Sequence, residues 1–171
     1  MNRDLRHTHT FERYFQDGIT RVDRLDQVLR YGILSQREAQ KNGIPFKRNL
    51  NIRMLGARDY DDIIFLHTIG QSFNPVWVNG TTVLINPGLE TLSIEEMIAY
   101  QKGNWTVASR GEAYRLGRIE PAYFDGIILP TQDELEETKR LLQNYLPKDP
   151  GRIKLMLPEN LFKFIKQIYI R

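Results

Sequence analysis

The segment Ser109-Arg110-Gly111-Glu112-Ala113-Tyr114-Arg115-Leu116 sets a carboxylate, Glu112, at the head of a short run whose pattern suits an extended strand. Ala113 and Leu116 are apolar, whereas Glu112 and Arg115 can face water, which predicts a half-buried strand. A polar turn, Gly117 to Pro121, and a second apolar strand, Phe124 to Leu129, come next. A carboxylate on a rigid element beside a loop is where a site would keep a charge that must be held still. The ordinary alternative is a solvated glutamate on an edge strand. The order of the elements on either side favours the first reading.

Other chemistries find less support. His7 and His9 form a His-x-His pair and His67 stands apart, but the chain has no cysteine and no acidic cluster beside the pair, so a metal site is not expected. Gly103, Gly111 and Gly117 lie outside any strand–loop–helix pattern that would cradle a phosphate. No serine has the elbow context of a nucleophile. Residues 44–62 read as an irregular basic stretch with Lys47, Arg48, Arg53 and Arg58. A loop of that length is either functional or a solvated insertion.

The elements that would position these residues follow from local signals. Phe11, Tyr14 and Phe15 suit a short strand. Thr20 with Asp23 resembles a capping box, and Val22, Leu25, Val28 and Leu29 continue at helical spacing up to Gly32. Ser35 with Glu38 opens a second helix that ends near Asn42-Gly43. Ile63 to Leu66 is an apolar run suited to a central strand. Val76 to Val78 and Thr82 to Ile85 flank Asn79-Gly80, a hairpin signal. Ser93 with Glu96 caps a helix to about Gln101, and Trp105 to Ser109 reads as a strand. Thr131 with Glu134 opens a helix with acidic residues early and basic ones later, which its dipole favours, and Pro147 ends it. Arg152 to Leu157 is a last strand or connector, and Leu161 to Ile168 a terminal helix. The sum is an α+β arrangement with a mixed or largely antiparallel sheet.

The 171 residues fit one domain, 1–171, with a sizeable core. Hydrophobic residues at 41% and charged residues at 26% exclude a disordered chain. The lack of cysteine makes a reducing compartment, or a small bacterial protein indifferent to compartment, the default. No apolar run approaches the roughly 18 residues that span a bilayer, and the N-terminus is charged rather than signal-like. A protein of the cytoplasm, or one delivered to a cytoplasm, with no membrane partner is expected. The net charge of +3 and pI near 9.2 are compatible with an anionic partner but do not require one.

Two distant segments carry a family resemblance. Gly18-Ile19-Thr20-Arg21-Val22-Asp23-Arg24-Leu25-Asp26-Gln27-Val28-Leu29-Arg30-Tyr31-Gly32-Ile33-Leu34-Ser35 resembles the first strand-to-helix passage of the ADP-ribosyltransferase superfamily, in the wording of its DNA-targeting toxins. Gly111 to Leu116, with Ile119-Glu120-Pro121 and Phe124-Asp125-Gly126-Ile127-Ile128, is similar to the family's catalytic-glutamate strand with the turn and strand after it. Asp62-Ile63-Ile64-Phe65-Leu66 is similar to the strand that lines the nicotinamide side. The resemblance spans roughly residues 11–130 and implies an ADP-ribosyltransferase-like fold, a split sheet with flanking helices.

It also implies a mono-ADP-ribosyltransferase, toxin- or effector-like, that uses NAD as co-substrate without a metal and modifies a protein or a nucleic acid. Glu112 would be the catalytic carboxylate. Phe65, and Tyr31 as a further candidate, would stack on nicotinamide, and Thr20 or Ser109 would hydrogen-bond its amide or the ribose. Arg53 and Arg58 would take the pyrophosphate or a nucleic-acid backbone. One departure stands out. Where the family places a His or Arg on the ribose, this chain has Gly18, preceded by Gln16 and Asp17. Gln16 reaches that position only with an inserted residue, and His7, His9 or Arg13 are other sources of the contact. The rival readings are a binding module that keeps the cleft without catalysis, and a small basic nucleic-acid-binding α+β domain.

Overall fold

A computed structural model describes residues 14–16, 25–44, 62–68, 81–86, 88–100, 113–160 and 163; at 14–16, 65, 67 and 68 it describes the backbone alone. The described strands are β1 (Tyr14–Gln16), β2 (Ile33–Leu34), β3 (Ile63–Thr68), β4 (Thr82–Ile85), β5 (Ala113–Leu116), β6 (Arg118–Ile119), β7 (Phe124–Ile128) and β8 (Lys154–Met156). The helices are α1 (Leu25–Tyr31), α2 (Gln36–Lys41), α3 (Ile94–Tyr100) and α4 (Gln132–Tyr145).

Six strands form one sheet in the order β5-β3-β1-β4-β7-β8, and β2 and β6 form a separate two-stranded sheet. Every pairing is antiparallel except β7 with β8. The expected α+β chain with a mixed sheet is therefore observed, and β3 is internal as its apolar run predicts. The segment Arg152 to Leu157 contains a strand, β8.

Alternation along the strands divides the core. Ile64, Leu66, Val83, Ile85, Ala113 and Ile127 belong to one cluster with Leu25 and Leu29 of α1 and Leu135 and Leu142 of α4. Ile63 and Tyr114 form a second, smaller cluster with Met97 of α3. Successive strand residues point to opposite faces, so β3 and β5 contribute to both clusters. Leu84 and Ile128, one step out of phase with the first cluster, are also fully buried.

Local chemistry sets the element ends. Ser35 caps α2 by accepting from the Glu38 N–H at 3.2 Å. Ser93 and Glu96 cap α3 reciprocally, the Glu96 N–H donating to Ser93 Oγ at 3.1 Å and the Ser93 N–H to Glu96 Oε2 at 2.7 Å. Thr131 accepts from the Glu134 N–H, while its hydroxyl donates to Glu134 Oε2. α1 stops at Gly32, whose φ of +86° suits glycine and where a Cβ would meet Ile119 O at 2.1 Å, leaving no room for a side chain. The N-terminal part of the first helix, Thr20 to Arg24, lies outside the described residues. So do the expected strands at 76–78 and 105–109, the Asn79-Gly80 turn and the apolar residues of the terminal segment.

Candidate functional site

The strands that carry the three sequence segments of interest are neighbours. Gln16 at the end of β1 is in register with Leu66 of β3, and Leu66 is in register with Ala113 of β5. Phe65 is in register with Tyr114. Adjacent strands lie about 4.8 Å apart, so three positions separated by almost a hundred residues of sequence fall in one row about 10 Å wide.

The two end segments meet a second time in the smaller sheet. Ile33 pairs with Ile119 and Leu34 with Arg118. The Ser35 N–H donates to Gly117 O at 2.8 Å, and the Gly117 N–H donates to Asp62 O at 2.9 Å. Ser35 Oγ donates to Asp62 Oδ1 at 3.3 Å, and Arg37 lies 3.9 Å from the other oxygen of that carboxylate. Gly117, with a φ of +78°, makes the turn from β5 into β6. The start of β3, the cap of α2 and the end of β5 are thus tied at one junction, and none of these ties is visible in sequence beyond the Ser35 cap.

β5 is the outermost strand at its end of the six-stranded sheet. Its outer edge takes one bridge from Leu92, whose N–H donates to Tyr114 O at 2.7 Å while the Tyr114 N–H donates to Leu92 O at 3.0 Å. The Arg115 guanidinium fastens the same segment, donating to Glu90 O at 2.9 Å and to Arg118 O at 3.2 Å. The half-buried alternation expected for this strand is corrected: Ala113 and Tyr114 are both buried, because α3 covers the face opposite the main core. Arg115, expected to be wet, is half-buried and spends its donors on backbone carbonyls. The geometric cue that the sequence lacked was the Leu92 segment alongside.

Among the candidate residues, Glu112, Gly18, Thr20 and Ser109 lie outside the described residues, as do His7, His9, Arg13, Arg53 and Arg58. Glu112 is the residue bonded to Ala113. Gln16 and Phe65 are placed by backbone register alone. Tyr31 ends α1, with the Arg30 guanidinium 5.1 Å from its ring centroid, close enough for a cation–π contact. One further acidic group was read in sequence only as part of a turn. Glu120, between β6 and the 3-10 turn Pro121–Tyr123, has a buried Oε2 with no hydrogen-bond partner among the described residues. Among the described residues no group of three or more His, Asp or Glu could hold a metal ion, and no helix is long and apolar enough to cross a membrane. On α4 the Glu137 carboxylate, hydrogen-bonded to Arg140, raises that guanidinium above its ordinary range, on an exposed part of the helix.

No family model matches the chain, and no curated protein matches it. Among solved structures it is similar to Thermosipho africanus DarTG in complex with ADP-ribose, at 14% identity and a TM-score of 0.48, a similarity too shallow to assign fold or activity. The match covers 90% of this chain and 51% of that one, so this chain spans about half the length of the structure it matches.

Proposed function

We propose that the chain has the ADP-ribosyltransferase fold and is a mono-ADP-ribosyltransferase that uses NAD to modify a macromolecule. The observation that carries this reading is the adjacency of β1, β3 and β5, with Gln16, Leu66 and Ala113 in one row. The three segments that resemble the family in sequence belong to these strands or adjoin them. The pairing of Ile33 with Ile119 adds support, since it joins the first and last of these segments independently.

The chemistry is set by the carboxylate. Breaking the bond between nicotinamide and ribose sends its electron pair to the nicotinamide nitrogen and leaves positive charge on the ribose. A fixed anion at that point lowers the barrier because it needs no reorganisation as the charge develops. Glu112, one residue before a strand buried on both faces, is the group for that role. Phe65 would stack on the nicotinamide, with Thr20 and Ser109 supplying hydrogen bonds to its amide or the ribose, whereas Gln16, in register with Leu66, falls on the other face of the sheet from Phe65. The acceptor is a protein or a nucleic acid.

The test is incubation of the purified chain with adenine-labelled NAD and separate protein, DNA and RNA pools. Label transfer to one pool is expected. Glu112→Gln should reduce it by roughly 10²–10³-fold, the scale for loss of a preorganised electrostatic contact, with an unchanged circular dichroism spectrum. Undiminished transfer by the folded variant would remove Glu112 from the mechanism. Gly18, where the family has its ribose-binding His or Arg, favours a second reading, a binding module without turnover. Saturable NAD binding by calorimetry with no transfer to any pool would select it.

A further inference from the structure

The outer edge of β5 uses its hydrogen-bonding groups unevenly. Phe65 and Tyr114 face each other across β3 and β5. Tyr114 gives both its N–H and its C=O to Leu92 on the far side, so this rung carries no hydrogen bonds between β3 and β5. Rungs alternate along an antiparallel pair. The rung of Ile63 with Leu116, two residues on, is therefore of the same kind. The Gly117 N–H bonded to Asp62 O marks the hydrogen-bonded rung beside it. Leu116 thus also turns its N–H and C=O outward, and neither has a hydrogen-bond partner among the described residues.

The segment that lies on this edge belongs to the chain itself. It leaves β4 at Asn86, whose N–H donates to Tyr123 O at 2.8 Å and whose side-chain amide donates to Asp125 Oδ1 at 3.0 Å. It meets β5 at one bridge, Leu92 with Tyr114. A continuing ladder would set Glu90 against Leu116, but Glu90 O goes to the Arg115 guanidinium instead, at 2.9 Å. The Leu92 side chain packs on the cluster of Ile63, Met97 and Tyr114, as does Leu116. The edge thus holds an extended chain by two backbone bonds and one apolar anchor, and a further donor and acceptor stay unused. Edge groups in that state are a template for another strand. Strand-addition sites combine the same two parts, main-chain groups for affinity and places for alternate side chains for specificity.

We propose that the outer edge of β5 is a strand-addition site for an extended segment of a partner protein, and that residues 88–92 are its built-in occupant. The partner segment displaces them, takes over the Tyr114 N–H and C=O, and continues to Leu116. An apolar residue of leucine's size opposite Tyr114 refills the place of Leu92. The added Leu116 rung offsets the loss of the internal bridge. This surface is independent of the transferase reading, since it needs neither NAD nor a catalytic carboxylate.

The probe is a fluorescein-labelled peptide with the sequence of residues 88–94, titrated against the native chain and against Leu92→Pro/Arg115→Ala. That variant lacks the N–H that bonds to Tyr114 O and the guanidinium that holds Glu90 O. Saturable anisotropy is expected for the variant when its circular dichroism is native. The native chain should bind about 10-fold more weakly, the worth of one to two hydrogen bonds. A peptide N-methylated at the leucine that matches Leu92 should not saturate. No saturation by the folded variant, or equal binding of the methylated peptide, overturns the site. Equal affinity of the two proteins overturns the role of residues 88–92 as its occupant. Dimerisation of the variant in sedimentation, with no peptide bound, gives the edge to a second copy and overturns the peptide assignment. Where the variant does not fold, hydrogen exchange on the native chain decides. Peptide at ten times its Kd should slow exchange of the Leu116 amide by about 10-fold and leave the Ile127 amide of β7 unchanged. An unchanged Leu116 amide overturns the proposal.

Discussion

The two ends of the six-stranded sheet are built differently. At the β4-β7-β8 end β4 is buried at every position and β7 at all but Asp125, and Gly126 admits Met156 and Leu84 so closely that a Cβ there would sit 2.9 Å from Met156 Cε. The 14-residue α4 buries Leu135 and Leu142 against it. Arg152 locks the connection, donating to the carbonyls of Pro121, Ala122 and Phe124. At the β5 end, among the described residues, one bridge to Leu92 lies along the edge and the seven-residue α3 buries Met97. The residues with chemistry to offer, Glu112 and Phe65, belong by sequence or register to this second end. Among the described residues the more extensive packing is at the first end, and the strand that Glu112 precedes in sequence is at the second. That division fits the general rule that ligand-binding segments come from the less stable parts of a fold.

The strongest way to break the division is at the junction that joins the ends. Gly32→Ala would force a left-handed φ on alanine and a Cβ 2.1 Å from Ile119 O, so α1 or the β2–β6 pair must move. A loss of about 3–4 kcal/mol is expected in urea denaturation, with transfer lost alongside stability because both end segments shift together. Next in size is a matched pair. Leu142→Ala in the main core and Met97→Ala beneath Tyr114 each remove a buried side chain, at a cost of about 2–4 kcal/mol each. At a temperature where both stay folded, Leu142→Ala should keep native transfer and Met97→Ala should lose most of it. Equal loss of transfer in the two would show that the ends are not separable.

What the sequence revealed of this fold is what local chemistry decides. Ser35, Ser93 and Thr131 cap helices because a hydroxyl three residues from a glutamate needs no distant partner, and Gly32 ends α1 for an equally local reason. The apolar run of β3 marked an internal strand because both its faces had to be buried. Strand order was not legible, since pairing of β1 with both β3 and β4 depends on which edges remain free after collapse. The same limit hid the site's supports. Arg115 reads as a wet strand residue until Glu90 and Arg118 are seen to present carbonyls to it, and Asp62 reads as the end of a loop until Ser35 and Gly117 converge on it. Glu112 and Phe65 could be named from resemblance, but the adjacency of β1, β3 and β5 required a ladder that no local pattern encodes.

The smallest expected effect gives the sharpest version of the comparison, because one chemical device occurs at both ends. Ser93 and Thr131 each cap a helix, so removing either hydroxyl should cost about 1 kcal/mol. The consequences should differ. α4 is 14 residues long and held by Leu135, Thr138 and Leu142, so Thr131→Ala should fray one turn and leave the rest protected. α3 is seven residues long with one buried side chain, and the Met97 N–H bonds directly to the Ser93 carbonyl. A helix this short lies below the length at which propagation repays nucleation, so its cap and Met97 share the task of keeping it formed. Ser93→Ala should therefore lower hydrogen-exchange protection across α3, including the Met97 amide, by about 5- to 10-fold, the equivalent of the cap's free energy. The global unfolding midpoint should move no more than it does for Thr131→Ala. Loss confined to the first turn of α3 would mean that this end is held as firmly as the other, and that the cover over β5 does not open on its own.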